Sequence, residues 1–299
     1  MATPPEFGQF RQTPPVVYST FAKFAVFFGI FFLMFICVSI VAQVITDVIP
    51  DKRTAILCGS TLQAVFAFMV PSYIIARIES RHAFAQLSLN KAPTLKSLSG
   101  VIIGFLVAMP AYNIIIDWNA NMHLPESMSA LESAMRHAED AAAAMSETIL
   151  ADSSILGLIT GILVVGIITG IGEELFFRAG LQRLLGERMS KHVAIWTAAI
   201  IFSIMHFQFF GFVPRMLLGA YFGYLYVWTG TIWVPIFAHA FNNSLVVVMS
   251  WLQARGVEVT EIEQIGINGD GWPWLAMVSV VLTILFFYYR NIFFKQRQF

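Results

Sequence analysis

The sequence predicts an all-α, polytopic membrane protein, and three observations carry that prediction. Hydrophobic residues occupy 58% of the 299 positions and charged residues only 12%, against about 45–50% and 25% in soluble domains. The apolar residues are gathered into runs near the roughly 20 residues that cross a bilayer. The loops between these runs segregate basic from acidic residues, as membrane topology requires.

In order, the runs are Phe24–Thr46, Ala55–Ala76, Leu98–Ile116, Ile155–Phe177, Val193–Phe210, Met216–Trp228, Trp233–Leu252 and Trp274–Phe294, so eight spans are expected. Ahead of the first lies a polar, proline-rich tail, residues 1–23; the run after it is too long for a signal-peptide core and reads as a retained span. Residues 24–299 then form one membrane domain, with no internal repeat and no soluble module. Cys37 and Cys58 fall within apolar runs and read as packing residues.

Basic residues follow the second span (Arg77, Arg81, Lys91, Lys96), the fourth (Arg183, Arg188, Lys191) and the last (Arg290, Lys295, Arg297). These regions are expected in the cytoplasm, with both termini, and the expected location is the cytoplasmic membrane of a bacterium. Acidic residues dominate the connections after the third and seventh spans, from Asp117 to Asp152 and at Glu258, Glu261, Glu263 and Asp270. Within the first of these, Leu131, Met135, Ala138, Ala142, Met145 and Ile149 recur three and four apart. That spacing predicts an extracytoplasmic amphipathic helix over 126–150, lying on the surface or acting as a lid or dimerisation seam.

The zero formal net charge gives no reason to expect nucleic acid as a partner. The chemistry is expected where ionisable groups enter apolar runs, because each costs at least about 2.5 kcal/mol there. Glu173 and Glu174 stand near the end of the fourth run, followed by Arg178. Glu174 and Arg178 are four apart and share a helix face in the favourable order for an ion pair, which leaves Glu173 pointing about 100° away. His206 ends FSIMH, and His239 and Asn243 share one face of the seventh run.

Counted from a turn near Met189, Glu173 and His206 each lie about 25 Å into their helices, and turns near Phe212 and Gly230 put His206 and His239 at one depth. Any one of these residues alone reads as a satisfied core group. Together, a carboxylate, two imidazoles and a carboxamide at one level supply a base for water, a proton carrier and oxyanion donors. Gly219 and Gly223 read as a close helix contact.

EELFFR at Glu173–Arg178, FSIMH ending at His206 and TGTIWVPIFAHAFNN at Thr229–Asn243 resemble the three signatures of the CPBP family, the CAAX proteases and bacteriocin-processing (Abi) proteins, over a core of residues 155–251. The resemblance implies an intramembrane glutamic endopeptidase. In it Glu173 and His206 activate water, His239 and Asn243 form the oxyanion hole, and Glu174 pairs structurally with Arg178. It implies a peptide or protein substrate, prenylated in the eukaryotic branch, met within the bilayer. No cofactor is required, although members have been described as metalloproteases, so zinc stands as the alternative mechanism. A non-catalytic scaffold or immunity protein is the alternative of a different class. A transporter is disfavoured, because no paired broken helices recur in matching halves.

Overall fold

The computed structural model describes residues 18–259, 264–267 and 272–294. The tail before residue 18, and the charges at Glu261, Glu263, Asp270, Lys295 and Arg297, lie outside the described residues. Every regular element among the described residues is helical. They are α1 (Thr20–Val48), α2 (Lys52–Glu79), α3 (Leu95–Ala120), α4 (Ser129–Leu150), α5 (Ile155–Gly186), α6 (Lys191–Ile204), α7 (Phe212–Thr229), α8 (Trp233–Ala254) and α9 (Trp272–Tyr288). A further turn, Asn291–Phe294, continues α9.

Six helices among the described residues are long and apolar enough to cross a membrane, not eight: α1, α2, α3, α5, α8 and the stretch Pro273–Phe294. The expected fifth and sixth spans are the shorter pair α6 and α7. The 14 residues of α6 rise only about 21 Å, short of a hydrocarbon core of about 30 Å. Counting apolar residues through FSIMHFQFFGF extended the fifth span to Phe210, but the helix ends at Ile204. The chain then turns, with Phe207 at φ 54°, and α7 starts at Phe212 behind Gly211. Apolar content cannot separate a helix from a buried apolar turn.

The outer helices present large apolar side chains outward, such as Phe32, Ile36 and Ile40 on α1 and Met277, Val281 and Ile284 on α9, as lipid-facing surfaces must. Cys37 is exposed on the same outer surface of α1 and therefore does not pack in the core; neither cysteine is bonded.

At one end of the bundle Lys23 Nζ reaches Glu79 and Glu187, each at 2.8 Å, and Arg183 bridges to Glu79 at 2.5 Å, tying α1, α2 and α5 together. At the same end Thr231 Oγ1 donates to Lys91 O and Trp233 Nε1 donates to Leu89 O, which fixes the start of α8 against the 88–91 loop.

At the other end Arg53 donates to the carbonyls of Ile149 and Gly157, joining α2 to the end of α4 and the start of α5. The predicted amphipathic helix is present as α4, entered through a 3₁₀ turn at Glu126–Met128. It packs on the connection between α6 and α7: Arg136 lies 4.0 Å from the Phe210 ring centroid, and Glu139 Oε2 accepts from the Phe210 amide at 3.4 Å.

The core is strongly aromatic. Phe27 stacks on Phe176 at 4.6 Å, Phe176 meets Phe177 edge-on at 5.1 Å, and Phe177 meets Phe202 edge-on at 5.0 Å. The two phenylalanines of EELFFR therefore carry packing from α1 through α5 to α6.

Candidate active site

Helix α5 is not uniform. Two π-helical stretches, Ile162–Ile168 and Leu175–Gln182, flank the α-helical turn that holds Glu173 and Glu174. Such widened turns shift side chains out of the ordinary helical register and recur at functional sites.

Glu174 and Arg178 are buried to 0% and 1% side-chain exposure, and Arg178 Nη1 lies 3.0 Å from Glu174 Oε1. The other end of the guanidinium donates to Gly219 O at 2.9 Å, and the Phe202 and Phe222 rings lie 5.0 and 5.4 Å from it. A charge this deep is tolerable only when its donors are paired. Gln182 Nε2 donates to Gly223 O one turn further along. A Cβ at Gly223 would fall 2.6 Å from Gln182 Oε1, and one at Gly219 would fall 3.1 Å from Phe202. The two glycines are thus the contact through which α7 meets α5.

His239 sits on α8, 4% exposed. Its Nδ1 lies 2.7 Å from Glu174 Oε1, and its Nε2 lies 3.7 Å from Glu173 Oε2. With Glu174 ionised beside Arg178, Nδ1 carries a proton and donates it, which orients the ring. The Phe222 ring stacks on the imidazole at 5.1 Å. Glu173, 13% exposed at its side chain, is the accessible member of the acidic pair.

His206 lies two residues past the end of α6, in the turn and not within a span. Its Nδ1 is 2.8 Å from Phe202 O. Phe202 touches both imidazoles edge-on, His206 at 4.9 Å and His239 at 5.9 Å between centroids. Phe202 is therefore the hub between them. Sequence reasoning missed it, because a phenylalanine in an apolar run carries no distinguishing signal.

Asn243, one turn beyond His239, donates through Nδ2 to Val165 O at 3.1 Å and accepts from Asn242 at its Oδ1. One of its two N–H groups is committed to the backbone of the first π-helical stretch.

An open groove of about 600 Å³, lined by Leu89, Pro93, Trp233, Ile236, Phe237 and Ala240 among others, reaches the residue beside His239. These residues do not suit a metal ion. Glu174 Oε1 already engages both Arg178 and His239, and among the described residues no three His, Cys, Asp or Glu side chains are arranged to hold one.

The fold and this cluster define a class: an integral multi-pass membrane protein with a carboxylate–histidine site enclosed by its helices. Residues 155–245 match the family model described as type II CAAX prenyl endopeptidase Rce1-like. That assigns the core of this chain, α5 through most of α8, to the CPBP family. Two relatives come from Bacillus subtilis (strain 168). The chain is 36% identical over 88 residues to the protein named "Putative membrane peptidase YdiL", covering 29% of this chain and 36% of that one. It is 31% identical over 77 residues to "Uncharacterized protein YpbD", covering 24% of this chain and 36% of that one. The matched region thus spans about a third of the length of these relatives. No solved structure matches the chain significantly.

Proposed function

We propose that the protein is an intramembrane endopeptidase that hydrolyses a peptide bond with water activated by Glu173. The observation that carries this reading is the arrangement of His239: Nδ1 is fixed by the buried Glu174–Arg178 pair, while Nε2 faces the accessible carboxylate of Glu173 at 3.7 Å. The family match over residues 155–245 supports a protease.

In the proposed reaction Glu173 takes a proton as the water oxygen attacks the substrate carbonyl carbon. His239, carrying both ring protons between Glu173 and Glu174, donates from Nε2 to the oxyanion, and the uncommitted N–H of Asn243 donates beside it. The tetrahedral intermediate then collapses and the C–N bond breaks. The proton held by Glu173 passes to the departing amine, directly or through His206, leaving a carboxylate and a free amine. The groove beside Ala240 suits an apolar segment of a membrane-associated or lipidated substrate. No step requires a metal ion.

The test is cleavage of a peptide library by the purified protein in nanodiscs. Glu173→Gln and His206→Ala are each expected to lose about a hundred- to ten-thousandfold in rate, the range for a removed acid–base group, and wild-type activity should survive a strong chelator. Activity lost to the chelator and restored by zinc would overturn the mechanism. A Glu173→Gln protein that keeps its biological effect would instead favour a non-catalytic scaffold.

A further inference from the structure

We propose that Arg215 forms a carboxylate-recognition subsite at the same site, receiving a carboxylate of the bound peptide; this rests on the endopeptidase reading above. Arg215 stands in the first turn of α7. Its Nη2 donates to Gln208 Oε1 at 2.7 Å and its Nη1 to Gln208 O at 3.3 Å, so two of its five N–H donors are engaged by groups without charge.

Arg178, Arg53 and Arg183 pair with Glu174, Asp152 and Glu79. Arg215, although half-buried, has no carboxylate within ion-pair distance among the described residues. It stands within electrostatic reach of Glu173, Glu139, Tyr112 and His206. Glu139 is engaged elsewhere, at the Phe210 amide.

A cation held inside a membrane protein without a bound anion is expensive and calls for a partner. The charge count at the site points the same way. Glu173 and Glu174 balance Arg178 and a doubly protonated His239, so Arg215 leaves one positive charge that a substrate carboxylate would neutralise. The guanidinium also lies against bare backbone: a Cβ at Gly211 would fall 3.0 Å from Nη2. A guanidinium with free donors takes a carboxylate through two parallel hydrogen bonds, and the neutral amide of Gln208 holds that place in its absence.

A peptide carries a carboxylate at its C-terminus or on an Asp or Glu side chain, and the experiment separates the two sources. Binding to the Glu173→Gln protein in nanodiscs is measured by fluorescence anisotropy with three pools of labelled apolar hexapeptides. One pool ends in a free carboxylate, one in an amide, and one in an amide with a single internal aspartate.

One carboxylate pool is expected to bind about tenfold tighter than the plain amide pool, the scale of a charge-assisted hydrogen bond. Which pool gains identifies the source. Adding Arg215→Gln should abolish the difference and Arg215→Lys should keep part of it. Gln208→Ala, which disturbs the turn but leaves the guanidinium, should preserve it. Equal binding of all three pools, a preference that persists without Arg215, or no binding by any pool overturns the proposal. Wild-type cleavage of the same pools is read separately: preferential binding without cleavage fails the endopeptidase reading alone, and cleavage indifferent to the carboxylate fails the subsite alone.

Discussion

Glu174 and Arg178 show how a residue pair visible in sequence gains its energy from burial. Four-residue spacing predicts the contact, but an exposed pair of this kind contributes only about 0.3–0.5 kcal/mol. At 0% and 1% exposure the same pair cannot lose one member without stranding the other, at a cost of about 3–5 kcal/mol. Arg178→Ala should therefore lower folded yield and melting temperature in detergent, and Arg178→Lys should recover only part, since one ammonium cannot reach both Glu174 and Gly219 O. A melting temperature unchanged in the alanine variant would show that the pair holds nothing. Glu173, His206, His239 and Asn243 stand out in the sequence because each interrupts an apolar run. Phe202 and Arg215 do not: the first looks like any core residue, and the second reads as a loop charge until the chain is seen to fold it beside Gln208.

At the scale of elements, the glycines of α7 and the entry to α4 give two expectations. Gly223→Val places new atoms where Gln182 and Ile195 already stand, at 2.6 and 2.9 Å from the first added carbon. Overpacking of this kind costs about 1–3 kcal/mol and should lower the melting temperature. Gly186→Ala, with nothing within 4 Å, should be neutral or slightly stabilising. Equal effects from the two variants would remove the argument for an α5–α7 contact at Gly223.

Glu132 anchors the start of α4. The Leu124 amide and Arg136 donate to its carboxylate, with His123 alongside, and hold it well below the usual range, at about 2. A depressed carboxylate stabilises the folded arrangement above its unfolded value of about 4.5 and loses that contribution as pH falls toward 2. The hydrogen-exchange protection of the Leu124 amide should therefore be constant from neutral pH to about 5 and decline below it. Protection that persists at pH 2 would contradict the assignment. The heptad-like spacing foretold α4 but not this anchor, whose acceptor and backbone donor lie on different segments.

For the whole molecule, six and eight spans differ by an even number, so both counts put the two termini on one side of the membrane. Single cysteines at Lys96 and Lys191 should react with an impermeant maleimide from one face, and those at Glu126 and Asp140 from the other; labelling of all four from one face would refute the topology. The apolar content and the spacing of charges along the chain determined the helical class, the membrane setting and the candidate residues, because burial in lipid forces backbone hydrogen bonds into helices and makes every intramembrane charge conspicuous. The tertiary structure alone decided where α6 ends, which imidazole nitrogen faces Glu173, and which arginine lacks a carboxylate. Each of these depends on distances between segments distant in the chain, and apolar periodicity records only which side of a helix is buried, not what it meets there.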